Sequence, residues 1–259
     1  PRAFSGEFDG NNFIIKNLTI SADAFGGLFA RLGQAAIVKN LTLENVSISG
    51  GNPTGALAGV MIGASSGAAI ENVHVVGGTI SGKIQTGGLI GRCNEAGLKT
   101  IKNCSVIADI ACVAPSGVYS ASGGIVGCME NGTNLLLQDC TFTGNIHGSG
   151  GTNNDFIGGI LGNARANNTE LTVLSCSANI GSASGTRIGL YEINNVATST
   201  ATVENSILYL STDNKLIANP LVNTVIAGEA QYITLTDYSF HNISSVTTSD
   251  ITYTRDFAA

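Results

Sequence analysis

The chain has 259 residues, of which 34 are Gly, only 4 are Pro and none is Trp, and it carries a formal net charge of -6. Collagen would need a strict three-residue Gly period with abundant Pro, and disorder is excluded by 43% hydrophobic against 12% charged residues, which can bury enough apolar surface to offset the ordering entropy. The 12 Lys and Arg are scattered and form neither a phosphate-tracking patch nor a basic amphipathic stripe, so neither nucleic acid nor a membrane surface is an expected partner.

In chain order, the first predicted unit is residues 1–16. Phe4, Phe8 and Phe13 lie close together in it and read as an N-terminal cap running into the first strand. Residues 17–211 then repeat two phrases. A glycine phrase occurs as GGLF at Gly26, GALA at Gly55, GGLI at Gly87, GGIV at Gly123 and GGIL at Gly158, with a decayed IGLY at Ile188. Its spacings are 29, 32, 36, 35 and 30 residues. A second phrase follows each copy: VKNLTL from Val38, IENVHV from Ile70, IKNCSV from Ile101, LQDCTF from Leu137, VLSCSA from Val173 and VENSIL from Val203. An earlier IKNLTI starts at Ile15. Residues 212–259 keep strand composition without the glycine phrase and read as a C-terminal cap or the start of a following β domain.

Each phrase alternates apolar and polar residues, the period of a half-buried strand, and no 3.6-residue apolar stripe persists. A repeat near 30 residues with Gly or Asn at the bends predicts one turn of a β-helix. The expected fold is therefore all-β: a right-handed parallel β-helix, or β-solenoid, of about seven rungs with N- and C-terminal caps. The most apolar stretch, Gly55 to Ile70, is too short and too rich in small residues to span a bilayer. No secretory signal is recognisable, and a chain that begins at Pro1 reads as a piece of a longer or processed precursor.

Aligning the second phrase gives three columns. Asn17, Asn40, Asn72, Asn103, Asp139, Ser175 and Asn205 form a polar column. Stacked rungs set such residues about 4.8 Å apart, where Asn tolerates a left-handed bend and its amide reaches the next rung. A structural ladder explains this column better than a ligand-binding track. The following column reads Leu18, Leu41, Val73, Cys104, Cys140, Cys176 and Ser206. Cys replacing Leu marks an inward position, so Cys104, Cys140 and Cys176 are expected as free core thiols rather than a disulfide framework. The preceding column, Lys16, Lys39, Glu71, Lys102, Gln138, Leu174 and Glu204, faces outward.

Chemistry-bearing motifs are few. Gly63 to Gly67, GASSG, matches a nucleophile-elbow pattern but lacks the strand-turn-helix setting. Gly77 to Ile84 resembles a phosphate loop but has Ile84 where Ser or Thr must bind magnesium. Cys-x-x-Cys is absent, and His74, His147 and His241 are far apart. Asn153, Asn154 and Asp155, in the insertion GSGGTNND, could offer oxygens to calcium, although a turn explains them equally well. No catalytic residue and no cofactor is expected.

The GGLIG and IKNCSV phrases, with FSGEFDGNNFIIKNLTI at the start, resemble the GLUG-motif repeats of bacterial secreted and surface proteins. That group includes large adhesin-like proteins and the non-catalytic part of immunoglobulin A-specific metallopeptidases. The resemblance covers about residues 4 to 211. It implies a right-handed β-helix, an extracellular or cell-surface location and a bacterium of the Bacteroides type. ITYTRDF near the end looks like the beginning of a β domain that follows such arrays. No catalytic residue carries over, because His-Glu-x-x-His is absent. The expected function is a non-catalytic surface module, an adhesin, spacer or protease scaffold arm, whose partner is an unknown host or cell-surface protein or glycan. The alternative is a polysaccharide lyase or glycoside hydrolase, for which Asp109 with Asp139 or Glu95 would be the carboxylates.

Overall fold

The computed structural model describes residues 2–63, 68–149, 155–166, 168–184, 187–193, 200–204, 206–210 and 224–226, and it contains no helix among them. Strands stack into two parallel sheets, a 13-stranded larger sheet and a 9-stranded smaller one. The described strands of the larger sheet rise through Glu7–Lys16 with Thr19–Ser21, Ile37–Ser49, Ala68–Gly82, Gly97–Lys102 with Ser105–Cys112, Thr133–Gln138 with Thr141–Gly148, Glu170–Leu174 with Ser177–Ser184, Thr200–Glu204 with Ile207–Leu210, and finally Thr224–Ile226. The smaller sheet holds the glycine phrases, from Phe29–Leu32 through Asp155–Ala164 to Arg187–Ile193. Five turns, up to Asp155–Ala164 and Ser177–Ser184, have both sheets described with their side chains.

The core follows from the two-residue period. Val38, Ile70, Ile101, Leu137 and Val173 pair in register up one interior column, and each is at most 1% exposed. Burying a Val, Leu or Ile side chain stabilises by about 1.5–3 kcal/mol, so each rung is held mainly by its neighbours. The larger sheet bends between its two limbs at one residue per level. Asn40, Asn72, Asn103, Asp139 and Ser175 all take positive φ, between 49° and 54°. Asn and Asp reach this left-handed region at lower cost than branched residues.

Residues 7–16 supply the first strand expected within residues 1–16, forming the first level of the solenoid and pairing in parallel with Ile37–Ser49. Phe4 and Phe8 pack on Phe29 at ring distances of 5.1 and 5.6 Å, while Phe13 stays 71% exposed and outside that cluster. One sequence expectation is corrected: Asn17 does not belong to the column of Asn40. Lys16 pairs with Glu44 and Thr19 with Ser47, which sets Asn17 beside Asn45 at a second bend. Asn45 Nδ2 donates to Asn17 Oδ1 at 2.7 Å. The place under Asn40 is taken by the bulged Asp9-Gly10-Asn11-Asn12 turn, in which Asn11 and Asn12 have positive φ. The identical phrase KNLT at both sites hid this shift of five residues, from Asn40 to Asn45. Asn205 and residues 212–259, apart from Thr224–Ile226, lie outside the described residues. Those three residues pair in parallel with Ala201, Thr202 and Val203.

Candidate functional site

The glycine phrase makes an infolded corner. In each turn two limbs of the smaller sheet meet at Gly-Gly-x, and their backbones press together. A Cβ added to Gly55, Gly87 or Gly123 would lie 2.7, 2.5 or 2.6 Å from the backbone nitrogen of Gly91, Gly127 or Gly162 in the next level. A Cβ on Gly127 would meet Thr86 backbone at 2.7 Å, and one on Gly162 would meet Ser122 backbone at 2.6 Å. Glycine at both ends of the five-residue phrase is thus required by close backbone approach.

Beside these glycines the corner carries side chains that do not join the apolar core. One wall aligns Arg31, Val60, Arg92, Cys128 and Asn163 in register. The other aligns Gln85, Ala121 and Phe156. A polar knot closes the corner around Glu130, whose side chain is 14% exposed. Gln85 Nε2 donates to Glu130 Oε1 at 2.8 Å and to Tyr119 Oη at 2.6 Å. Arg92 and Arg165 approach the Glu130 carboxylate from either side, each at 3.5 Å. The Arg165 guanidinium also stacks on the Tyr119 ring at 4.1 Å, and the same device recurs lower down, with Arg31 over Phe25 at 4.4 Å. Burial pushes the Tyr119 phenol well above its usual value.

Several polar atoms of this corner have no hydrogen-bond partner although they are buried: Gln85 Oε1, Arg92 Nε and both side-chain atoms of Asn163, with Arg31 Nε further down the same wall. Gln85 is 1% exposed and Asn163 0%. Such atoms cost roughly 1–3 kcal/mol each in a folded protein, so their concentration in one corner points to something that satisfies them.

The residues singled out from the sequence lie elsewhere. Asn72 Nδ2 donates to Asn40 Oδ1 at 3.0 Å, Asn40 Nδ2 to Asp9 Oδ1 at 3.0 Å, and Asn103 Nδ2 to Asn72 Oδ1 at 3.4 Å. Cys104, Cys140 and Cys176 are buried and unbridged, as are Cys93, Cys112 and Cys128. Burial raises the Cys104 thiol well above its usual value. Each thiol of the column donates to a carbonyl two residues back: Cys104 to Lys102, Cys140 to Gln138 and Cys176 to Leu174, at 3.0 to 3.3 Å. Asp155 is 5% exposed and accepts from Ser120 Oγ at 2.7 Å, whereas Asn153 and Asn154 lie outside the described residues. Asp109 accepts from Asn145 Nδ2 at 2.8 Å on the second limb, Asp139 sits one level on at the bend between limbs, and Glu95 lies at the bend between Ile90–Cys93 and Gly97–Lys102 with φ 69°. The structure thus sets the three proposed carboxylates at separate positions of the coil. Among the described residues no group of three or more His, Cys, Asp or Glu could hold a metal ion.

Sequence reasoning missed two features. Lys99 is fully buried at an interior position and donates to the carbonyls of Glu95, Gly63 and Gly97 at 2.9, 3.2 and 3.3 Å. Burial holds its amine below the usual value. The Glu130 knot was also overlooked, although a signal existed. The residue three after the closing glycine of the five-residue phrase (Gly91, Gly127 and Gly162) reads Asn94, Glu130 and Arg165, so opposite charges fall on adjacent levels.

No protein-family profile matches the chain. It is 39% identical over 97 residues to halomucin of Haloquadratum walsbyi, covering 36% of this chain and 1% of that protein. It is 34% identical over 161 residues to the immunoglobulin A1 protease of Streptococcus sanguinis, covering 61% of this chain and 8% of that protein. With the immunoglobulin A1 protease of Streptococcus pneumoniae strain R6 the identity is 31% over 157 residues, 61% of this chain and 7% of that protein. The match therefore spans less than a tenth of any of these relatives. A solved structure of a candidate immunoglobulin A1 protease from Bacteroides ovatus is 19% identical, with a TM-score of 0.39, over 73% of this chain and 69% of that one.

Proposed function

We propose that the chain is a non-catalytic extracellular or cell-surface module of the GLUG-repeat kind, serving a larger bacterial protein as spacer or scaffold and as a site of adhesion to a host or cell-surface glycan or protein. The observation that carries this reading is the investment of the sequence in stacking. The bend, core and corner columns each recur level after level, and the three carboxylates weighed for hydrolysis sit apart in the coil. The relatives support it, because the region shared with two immunoglobulin A1 proteases is only 7–8% of their length, a proportion suited to one module of a long protein. No His-Glu-x-x-His occurs in the sequence, so a zinc protease activity that uses this motif would reside in another part of such a protein. The test is direct. The purified chain, incubated with immunoglobulin A1 and with a panel of acidic and neutral polysaccharides, is expected to cleave none of them. Turnover of any one that persists in independent preparations would overturn the reading.

A further inference from the structure

The Glu130 corner combines a charge excess with unsatisfied polar atoms. Two guanidiniums, Arg92 and Arg165, face the single carboxylate of Glu130, and both contacts are long, at 3.5 Å. Arg165 is held flat on Tyr119 and its side chain is still 48% exposed, while Arg92 is 24% exposed. A stacked guanidinium presents its N–H edge in a fixed plane, the geometry that suits a carboxylate. Unpaired atoms of both kinds lie within the same corner. Gln85 Oε1 and Asn163 Oδ1 need donors, and Asn163 Nδ2 and Arg92 Nε need acceptors. A bare anion accepts hydrogen bonds and cannot donate to the two amide oxygens. A neutral sugar leaves the excess positive charge unmatched.

From these requirements we infer that the corner binds a sugar acid, a residue bearing one carboxylate and several hydroxyls. The carboxylate takes the outer N–H groups of Arg165 and Arg92. The hydroxyls donate to Gln85 Oε1 and Asn163 Oδ1 and accept from Asn163 Nδ2 and Arg92 Nε. Entry requires the partly exposed arginine side chains to swing off Glu130, which their long contacts permit. The inference deepens the adhesion part of the proposed role, and the spacer part stands without it.

The test titrates the isotopically labelled whole chain with galacturonate, galactose and acetate and follows backbone amide signals. Galacturonate is expected to shift amides of residues 85–92, 126–130 and 161–165 saturably. Galactose and acetate should each bind at least ten-fold more weakly. Arg165→Gln should lower the galacturonate affinity at least ten-fold and the thermal midpoint by no more than a few degrees, because the lost contacts to Glu130 and Tyr119 are made by a side chain already half in water. The inference falls if galacturonate shifts nothing, if acetate binds as tightly as galacturonate, or if Arg165→Gln binds normally. The comparison of three ligands on the natural chain decides the matter even if the variant fails to fold. Loss of this binding together with continued absence of turnover would leave the spacer reading intact.

Discussion

Asn72 shows how much one side chain does in a solenoid bend. Its φ of 54° lies in the left-handed region, its amide donates to Asn40, and its Oδ1 accepts from Asn103 Nδ2 and from His74 Nε2, the latter at 2.9 Å. Two substitutions separate these roles. Asn72→Gly keeps the backbone at ease and loses only the side-chain bonds, a cost of about 1–2 kcal/mol. Asn72→Ala adds the left-handed strain of a Cβ, bringing the loss to about 3 kcal/mol. Urea unfolding midpoints check the order, and an alanine variant as stable as the glycine variant would show that the bend is not strained. The glycines divide in the same manner. Gly123→Ala drives a Cβ into Val126 O and to 2.6 Å from Gly162 N, so about 3 kcal/mol or more is expected. Gly117 has φ +82° but nothing within 4 Å, so Gly117→Ala should cost only about 1 kcal/mol. Asn163 is the opposite case. Replacing it by Leu removes two orphaned polar atoms at similar volume and should raise the thermal midpoint by a few degrees while abolishing galacturonate binding.

At the scale of stacked columns the thiols give a pH prediction. Burial raises Cys93 to about 12 and Cys112 to about 11, against an ordinary 9.0. The folded state therefore holds these protons more tightly than the unfolded chain does. The resulting stability is fully present below pH 9 and is lost as pH rises from 9 through 11 and 12, by up to about 1.4 kcal/mol per thiol and pH unit. Denaturant midpoints measured between pH 7 and 11 should fall only in the upper part of that range, and a thiol reagent at pH 7 should label these cysteines only under unfolding conditions. The inward Cys column was legible in the sequence because two-residue alternation fixes which side chains face the core. The bends at Asn40, Asn72, Asn103 and Asp139 were legible because few residue types tolerate a left-handed backbone. The first rung was misaligned because KNLT occurs at both Asn17 and Asn40, and sequence likeness does not report which of two bends a phrase occupies. The corner knot was hidden for a different reason. Glu130 lies 38 residues after Arg92 and 35 before Arg165, and the three meet because one limb stacks on itself level after level, while Gln85 and Tyr119 reach Glu130 from the facing limb, a contact that the alternation pattern does not encode. Glycine recurrence announced that backbones come close there, but not which polar side chains would gather beside them.

For the whole molecule, the exposed first level controls how the solenoid meets its surroundings. Glu7–Lys16 pairs with Ile37–Ser49 on one side, and among the described residues nothing pairs with its other edge. The strand is ten residues long, contains no Pro, and carries Phe13 at 71% and Ile14 at 49% exposure. Edges with free backbone groups template further strands, the usual protections being charge, Pro, a bulge or a cover, and the bulge between Asp9 and Phe13 leaves residues 13–16 as the regular, apolar part of the edge. Here Lys16 and Glu7 are drawn sideways into ion pairs with Glu44 and Lys39, at 2.9 and 2.6 Å, and do not guard the edge. The purified chain should consequently associate with rising concentration through this end. Ile14→Lys is expected to weaken the association about ten-fold, since an exposed outward position accepts the charge without disturbing the core, and Phe13→Asp should weaken it further. Sedimentation velocity across a hundred-fold concentration range measures both. A natural chain that remains monomeric throughout, or an association untouched by either substitution, would mean that the first level is covered by something other than a second strand.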